Sequence, residues 1–204
     1  VEPCDDKTCE WWLNNETFCN CTWVDCNYGP FTLEEVRKLI QACDFTKPFD
    51  TTKRRSFVQS RRNALRDRAI ILTLFDTGLR AEELCHIRLG NISVENGKID
   101  IVSGEVGGAK GGKGRTVYIG VRTRKPIFEY LKEREGKVGT LLDQDLLFIS
   151  RRGKPLNHGV LNQMIRGLGK KTGIDAHTHK FRHTFAINYL RQGGNVFELQ
   201  ALLG

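Results

Sequence analysis

Apolar residues crowd one stretch of the chain more densely than the rest. Leu65 to Phe75 reads LRDRAIILTLF, apolar on every side of a helix, which predicts a helix running through the core rather than along the surface. Gly78 follows as its stop, free to take the left-handed conformation that costs other residues energy. A second helix then starts at Arg80. Upstream, Phe31-Thr32-Leu33-Glu34-Glu35-Val36 reads as a helix start, with Thr32 as cap and Glu35 at the third helical position. Leu33, Val36, Leu39, Ile40 and Cys43 recur at helical spacing and are expected in the core, and the helix ends before Lys47-Pro48. Tyr28-Gly29-Pro30 breaks the chain ahead of it, dividing the sequence into an N-terminal segment 1–30 and a globular domain 31–204.

Beyond the second helix the period changes to two. Asn91 to Val102 holds two alternating runs about Asn96-Gly97, the strongest hairpin signal in the chain. Gly104 to Gly114 interleaves glycines with Lys110 and Lys113, and Arg115 to Ile119 supplies a third strand, so a small three-stranded antiparallel sheet is expected. Arg124 to Glu135 predicts an amphipathic helix with Ile127, Phe128 and Leu131 inward. Leu146 to Ile149 predicts a short buried strand. Asn157 caps a helix through Val160, Leu161, Met164, Ile165 and Leu168, ended by Gly169 or Gly173, and Ala176 to Ala186 opens another. The fold class is mixed α+β, mainly helical.

With 39% hydrophobic residues the chain can build a core, and a formal charge of +8 favours an anionic partner, nucleic acid before others. Arg61 and Arg62 close a polar stretch, Thr51 to Arg62, that is either a solvated linker or a set of phosphate contacts. No run of 18 apolar residues and no basic-then-apolar leader is present, so a cytoplasmic protein without membrane contact is expected. Five of the seven cysteines, Cys4, Cys9, Cys19, Cys21 and Cys26, fall in the N-terminal segment. Their gaps lack paired Cys-x-x-Cys knuckles and argue against zinc. Disulfides, a small cluster of Trp11, Trp12, Phe18 and Trp23, and the tail of a larger upstream domain all stay open.

Candidate chemistry gathers at two helix starts. Arg80 and Glu83, three apart, share a face, giving an always-charged guanidinium with a carboxylate to orient it. His179 and Arg182 repeat that spacing near another helix N-terminus, where anions are favoured. His177, His179 and His183 also raise a metal site, but no Glu follows the first histidine and Arg182 is an unwelcome neighbour for a dication. The lysine-bearing glycine segment can lie close to a nucleic-acid backbone. It is not a nucleotide-binding P-loop, because the Gly-x-x-x-x-Gly-Lys-Ser/Thr order is absent.

Thr-Gly-Leu-Arg-x-x-Glu-Leu at 77–84, Lys110 in Ala-Lys-Gly-Gly-Lys-Gly-Arg, and His179-x-x-Arg182-His183 together resemble the catalytic domain of the tyrosine recombinase (phage integrase) family. The resemblance covers Phe31 to Gly204. It implies an integrase-like catalytic core that cuts and rejoins DNA through a 3′-phosphotyrosine, without metal, cofactor or external energy. By position in the motifs, Arg80 and Arg182 clamp the scissile phosphate, Lys110 protonates the leaving 5′-oxygen, His179 assists at the phosphate, and Glu83 orients Arg80. Lys113, Arg115, Arg61 and Arg62 are expected to meet DNA, and His183 to be a buried structural partner. The expected partner is double-stranded DNA, with self-association on it in a full-length protein.

The chain departs from the family's pattern at both ends. The resemblance places a histidine or tryptophan, and then the nucleophilic tyrosine, beyond Leu202-Leu203-Gly204, and a helical domain of about 100 residues before the catalytic one, within the usual size of a domain. Tyr189 alone among Tyr28, Tyr118, Tyr130 and Tyr189 follows the second arginine, and with Phe185, Ile187 and Leu190 around it, it reads as core. The 204-residue chain is thus expected to bind DNA without cleaving it, as part of a site-specific recombinase. The alternative is a non-catalytic DNA-binding module or a decayed integrase remnant. A type IB topoisomerase shares the chemistry but fits the Thr-Gly-Leu-Arg motif less well.

Overall fold

The structure, a computed structural model, describes residues 29–45, 49–51, 54–57, 61–102 and 114–204. The expectations for the five N-terminal cysteines, the neighbouring aromatic cluster, Lys110 and Lys113 lie outside the described residues. Phe31–Gly204 folds as one unit. Its elements are α1 (Leu33–Asp44), β1 (Phe49–Thr51), β2 (Arg54–Phe57), α2 (Ala64–Thr77), α3 (Ala81–His86), a 3-10 turn (Leu89–Asn91), β3 (Ile92–Ser93), β4 (Lys98–Ile101), β5 (Arg115–Tyr118), α4 (Val121–Val138), α5 (His158–Thr172), α6 (Thr178–Arg191) and α7 (Val196–Leu203). The domain is mainly helical, with β3, β4 and β5 forming an antiparallel three-stranded sheet in that order.

The apolar run does become the central helix. Ala69, Ile70, Ile71 and Leu74 of α2 are wholly buried, and the helix packs against α1, α4 and α6. Burying each of the larger side chains, Ile70, Ile71 and Leu74, contributes about 2 kcal/mol. Its hydroxyls are satisfied inside the helix: Thr73 Oγ1 donates to Ala69 O at 2.8 Å and Thr77 Oγ1 to Thr73 O at 2.6 Å. The buried Asp67 carboxylate is held by Arg66 at 2.6 Å and Arg61 at 2.7 Å. Arg61 therefore meets Asp67 and the Cys43 carbonyl, while Arg62 is exposed.

At α1 the reciprocal cap forms as expected. Thr32 Oγ1 accepts from Glu35 N–H at 3.1 Å, and Glu35 Oε2 from Thr32 N–H at 2.8 Å. Leu33 is 64% exposed, however, because Phe31 ahead of the cap takes the buried place, 4.6 Å from the Phe181 ring centroid. One further core assignment is corrected in the same way. Phe128 on α4 is 59% exposed, while Ile127 and Tyr130 take the interior. Arg54 to Phe57, expected within a polar linker, is a strand paired with β1 in the register Phe49↔Phe57 and Thr51↔Arg54. Leu146 to Ile149 is not a regular strand: it makes only isolated bridges, Arg88↔Leu146 and Ile149↔Pro155, although Leu147 and Phe148 are fully buried.

The hairpin turns at Asn96-Gly97, where Gly97 has φ 68°. In β5 the alternation turns Val117 inward and leaves Tyr118 outside. Asn157 Oδ1 caps α5 by accepting from Val160 N–H at 2.8 Å, and Gly173, not Gly169, ends it. No described helix is long and apolar enough to cross a membrane.

Candidate active site

The turn between α2 and α3 presents Arg80. Gly78 closes α2 in the left-handed conformation, φ 60°, with its N–H on Leu74 O at 3.0 Å. Phe185 of α6 packs directly on it: a Cβ at Gly78 would lie 2.7 Å from the Phe185 ring. Leu79 is buried beside the turn, so the next side chain, Arg80, follows two successive anchored residues. Arg80 is the cap residue of α3, and its N–H donates to Glu83 Oε2 at 2.9 Å.

Glu83 is the hub. Its Oε1 accepts from Arg80 Nη1 at 3.1 Å and Arg115 Nη1 at 2.9 Å, and its Oε2 from Arg80 N–H and from Arg115 Nη2 at 2.7 Å. The Arg115 fork is thus bidentate, the stronger geometry for a guanidinium on a carboxylate. Side-chain exposure is 2% for Glu83 and 8% for Arg115 against 33% for Arg80, so the first two form a buried base and Arg80 faces outward. Burial alone would raise the Glu83 carboxyl, but the Arg115 fork and the Arg80 donors outweigh it and hold its pKa below the ordinary value. Arg115, expected on DNA, bonds Glu83 and also Leu202 O, to which its Nε donates at 2.7 Å.

From the other side, α6 delivers His179 and Arg182. Its N-terminus is fixed twice: His177 Nδ1 accepts from Lys180 N–H at 3.3 Å, and Asn162 Oδ1 of α5 accepts from Thr178 Oγ1 at 2.9 Å. His177, outside the expected motif, is therefore the helix cap. Arg182 Nη1 donates to Gly78 O at 3.2 Å and its Nη2 to Leu203 O at 2.9 Å. Arg80 Nη1 reaches the same Leu203 oxygen at 3.2 Å, and its Nη2 the Gly204 carbonyl. Three guanidiniums thus gather on the last-turn carbonyls of α7, the negative end of that helix.

Two cations on one oxygen leave a mark on the site. Burial first, then the Arg80 charge, brings the Arg182 pKa down to about 10, against an opposing pull from Glu83. His179 is open to solvent, yet partial desolvation and then the charges of Arg182, His177 and Arg80 hold its imidazole below the ordinary value. His183 is half-buried and shifted the same way, by burial first. The arrangement can hold a tetrahedral oxyanion between two fixed guanidiniums, with an imidazole at its edge.

Tyr189 departs from its expected place in the core. The ring is half-buried, and its hydroxyl donates to Glu198 Oε2 at 2.8 Å, which raises the phenol's pKa, away from what a nucleophile needs. Cys43 and Cys85 are buried thiols, each pushed up to about 12 first by burial, and so are inert. Among the described residues no group of three or more His, Cys, Asp or Glu side chains is placed to hold a metal ion.

Comparison with known proteins converges on one family. The model of the "Phage integrase family" matches residues 31–204. The tyrosine recombinase XerA of Pyrococcus furiosus is 33% identical over 176 residues, which cover 85% of this chain and 52% of the relative. The chain spans about half the length of the curated relatives it matches. Among solved structures, a XerA recombinase superposes with a TM-score of 0.67 at 29% identity, covering 86% of this chain and 55% of that one. The XerH site-specific recombinase bound to its difH substrate has a TM-score of 0.62 at 24% identity, covering 86% and 46%, a likeness of fold alone.

Proposed function

The chain belongs to the phage integrase family, and on that premise we propose that its Phe31–Gly204 domain binds double-stranded DNA and carries the phosphate-holding part of a site-specific recombinase active site. The observation that supports this most is the convergence of Arg80 and Arg182, from separate helices, on one oxygen at 3.2 and 2.9 Å. In strand cleavage a tyrosine oxygen bonds to phosphorus, the bond to the 5′-oxygen breaks, and that oxygen takes up a proton as the phenol loses one. Charge builds on the non-bridging oxygens, and two preorganised guanidiniums stabilise it where a metal is not used. Glu83 keeps Arg80 aimed, His179 bonds the phosphate or shares in proton transfer, and Lys110 is the acid for the leaving group. Lys113 and Arg62 remain candidate phosphate contacts. The net charge of +8 supports DNA as the partner class. Self-association on DNA and action in the cytoplasm belong to the same reading.

None of the chain's tyrosines is assigned as the nucleophile. Tyr189 is bonded to Glu198, the buried Tyr130 hydroxyl accepts from Ile149 N–H at 3.3 Å, Tyr118 lies on the outward face of β5, and Tyr28 is outside the described residues. The 204-residue chain should therefore bind a nicked duplex with steep salt dependence and form no denaturation-resistant adduct. The test is gel analysis of the chain with nicked DNA before and after denaturation. An adduct mapped to Tyr189 overturns the assignment of that residue, and affinity indifferent to salt overturns the DNA reading.

A further inference from the structure

We infer that Arg115 is a positioning residue for the phosphate-holding arginines, one that acts from behind Glu83 without meeting DNA; this rests on the phosphate-holding role proposed above. Arg115 opens β5 on the same face as the buried Val117, so strand alternation turns it inward. Its fork closes on both Glu83 oxygens and its Nε–H on Leu202 O. Glu83 offers its remaining acceptor capacity to the Arg80 N–H and Nη1. Glu83 can aim Arg80 only while something holds Glu83, and Arg115 makes two of its four hydrogen bonds. The bond to Leu202 O also sets the last turn of α7, whose next carbonyl, Leu203 O, is the oxygen that Arg80 and Arg182 share.

The other end of β5 is pinned as well. Asp76, four residues before Arg80, accepts from Gly120 N–H at 2.8 Å and Thr123 Oγ1 at 2.6 Å. The strand that follows the Lys110 segment in sequence is thereby tied at its start to Glu83, and just past its end to Asp76. One residue, Arg115, links that strand, the start of α3 and the end of α7. Losing it should release Arg80 from its aim without removing a DNA contact.

The test uses the whole chain and a labelled mixed-sequence duplex, with affinity read by fluorescence anisotropy at fixed salt for R80A, R115M, R115K and the double variants with R80A. R115M should weaken binding about tenfold, the scale of one charge-assisted hydrogen bond, yet add nothing to the loss already seen in R80A. R115K keeps the charge but not the fork. It should recover part of the affinity when Arg80 is present and none when it is absent. A general structural prop, or a direct phosphate contact, would instead multiply with R80A, and that result overturns the inference. R115M binding as tightly as the parent overturns it too. Should R115M fail to give a cooperative thermal transition, R115K against R80A/R115K makes the same comparison. An R80A variant that binds like the parent sinks the phosphate-holding reading and this inference with it, whereas R80A weakened with R115M and R115K intact sinks this inference alone.

Discussion

Arg182 of α6 and Arg80 at the start of α3 donate to the same backbone oxygen, Leu203 O, at 2.9 and 3.2 Å. Two like charges meet around a neutral acceptor, and the downward shift of Arg182 to about 10 reflects first its burial and then the Arg80 charge. An anion that replaces the carbonyl relieves the repulsion. Added sulfate should raise the thermal midpoint beyond its general salting effect, by about 2.7 kcal/mol of stability at about 100 times its dissociation constant. R182A, measured by the same thermal scans, should keep only the general effect. An equal rise in parent and variant would place the anion elsewhere.

The Glu83 hub makes a stability prediction in acid. Its folded pKa is lowered, so its contribution is fully present above the ordinary value of 4.5 and is lost as pH falls through the folded value. E83Q leaves the buried Arg115 charge without its partner and should cost about 3 kcal/mol at neutral pH. That deficit should shrink steadily below the ordinary carboxyl range. Thermal midpoints of the two proteins across the acid range decide it, and a deficit constant with pH would mean that Glu83 is not the group titrating.

Gly78 is constrained twice, by φ 60° and by the Phe185 ring 2.7 Å from where a Cβ would sit. G78A should cost about 3 kcal/mol, from left-handed strain together with overpacking. Because Gly78 O also accepts from Arg182 at 3.2 Å, the same change should weaken DNA binding by more than the loss of folded protein explains. Urea unfolding gives the first quantity, and anisotropy on the folded fraction gives the second. A variant as stable as the parent would show that the turn yields without cost.

Much of this site was legible in the chain because its parts are local. The all-round apolar run at 65–75, the Thr32 and Glu35 cap, the Asn96-Gly97 turn and the three-residue spacings of Arg80 with Glu83 and His179 with Arg182 each depend on neighbours a few residues away. What was missed depends on distance. Leu33 and Phe128 lie at helical spacing, but only tertiary packing decides how wide a stripe is covered. Leu203 O is a backbone acceptor and carries no residue-type signal at all. Glu83 and Arg115 are separated along the chain by the whole of β3 and β4, yet one cue existed: Arg115 and Val117 alternate with Thr116 and Tyr118, so the arginine belongs to the buried face of its strand.

His179 supplies the prediction that bears most directly on the proposed chemistry. Its pKa is held down by desolvation and by the charges of Arg182, His177 and Arg80, and His183 stands one turn further along α6. A phosphate beside the imidazole would favour the protonated form and raise the pKa in the complex. Binding then takes up a proton, and affinity must increase as pH falls through the window between the free and bound values. At constant ionic strength the dissociation constant for duplex DNA should fall from about pH 8 to about pH 6, where histidines titrate. H179A should flatten that dependence. H177N, which keeps a side chain able to cap α6, should preserve it. Folding runs the opposite way: with the folded pKa depressed, His179 stabilises the free protein above the ordinary value of 6.5, and that contribution is lost as pH falls through the folded value. Thermal scans without DNA should thus show stability falling over the range in which affinity rises. Affinity that rises equally in H179A would assign the proton uptake to another histidine and remove His179 from the phosphate.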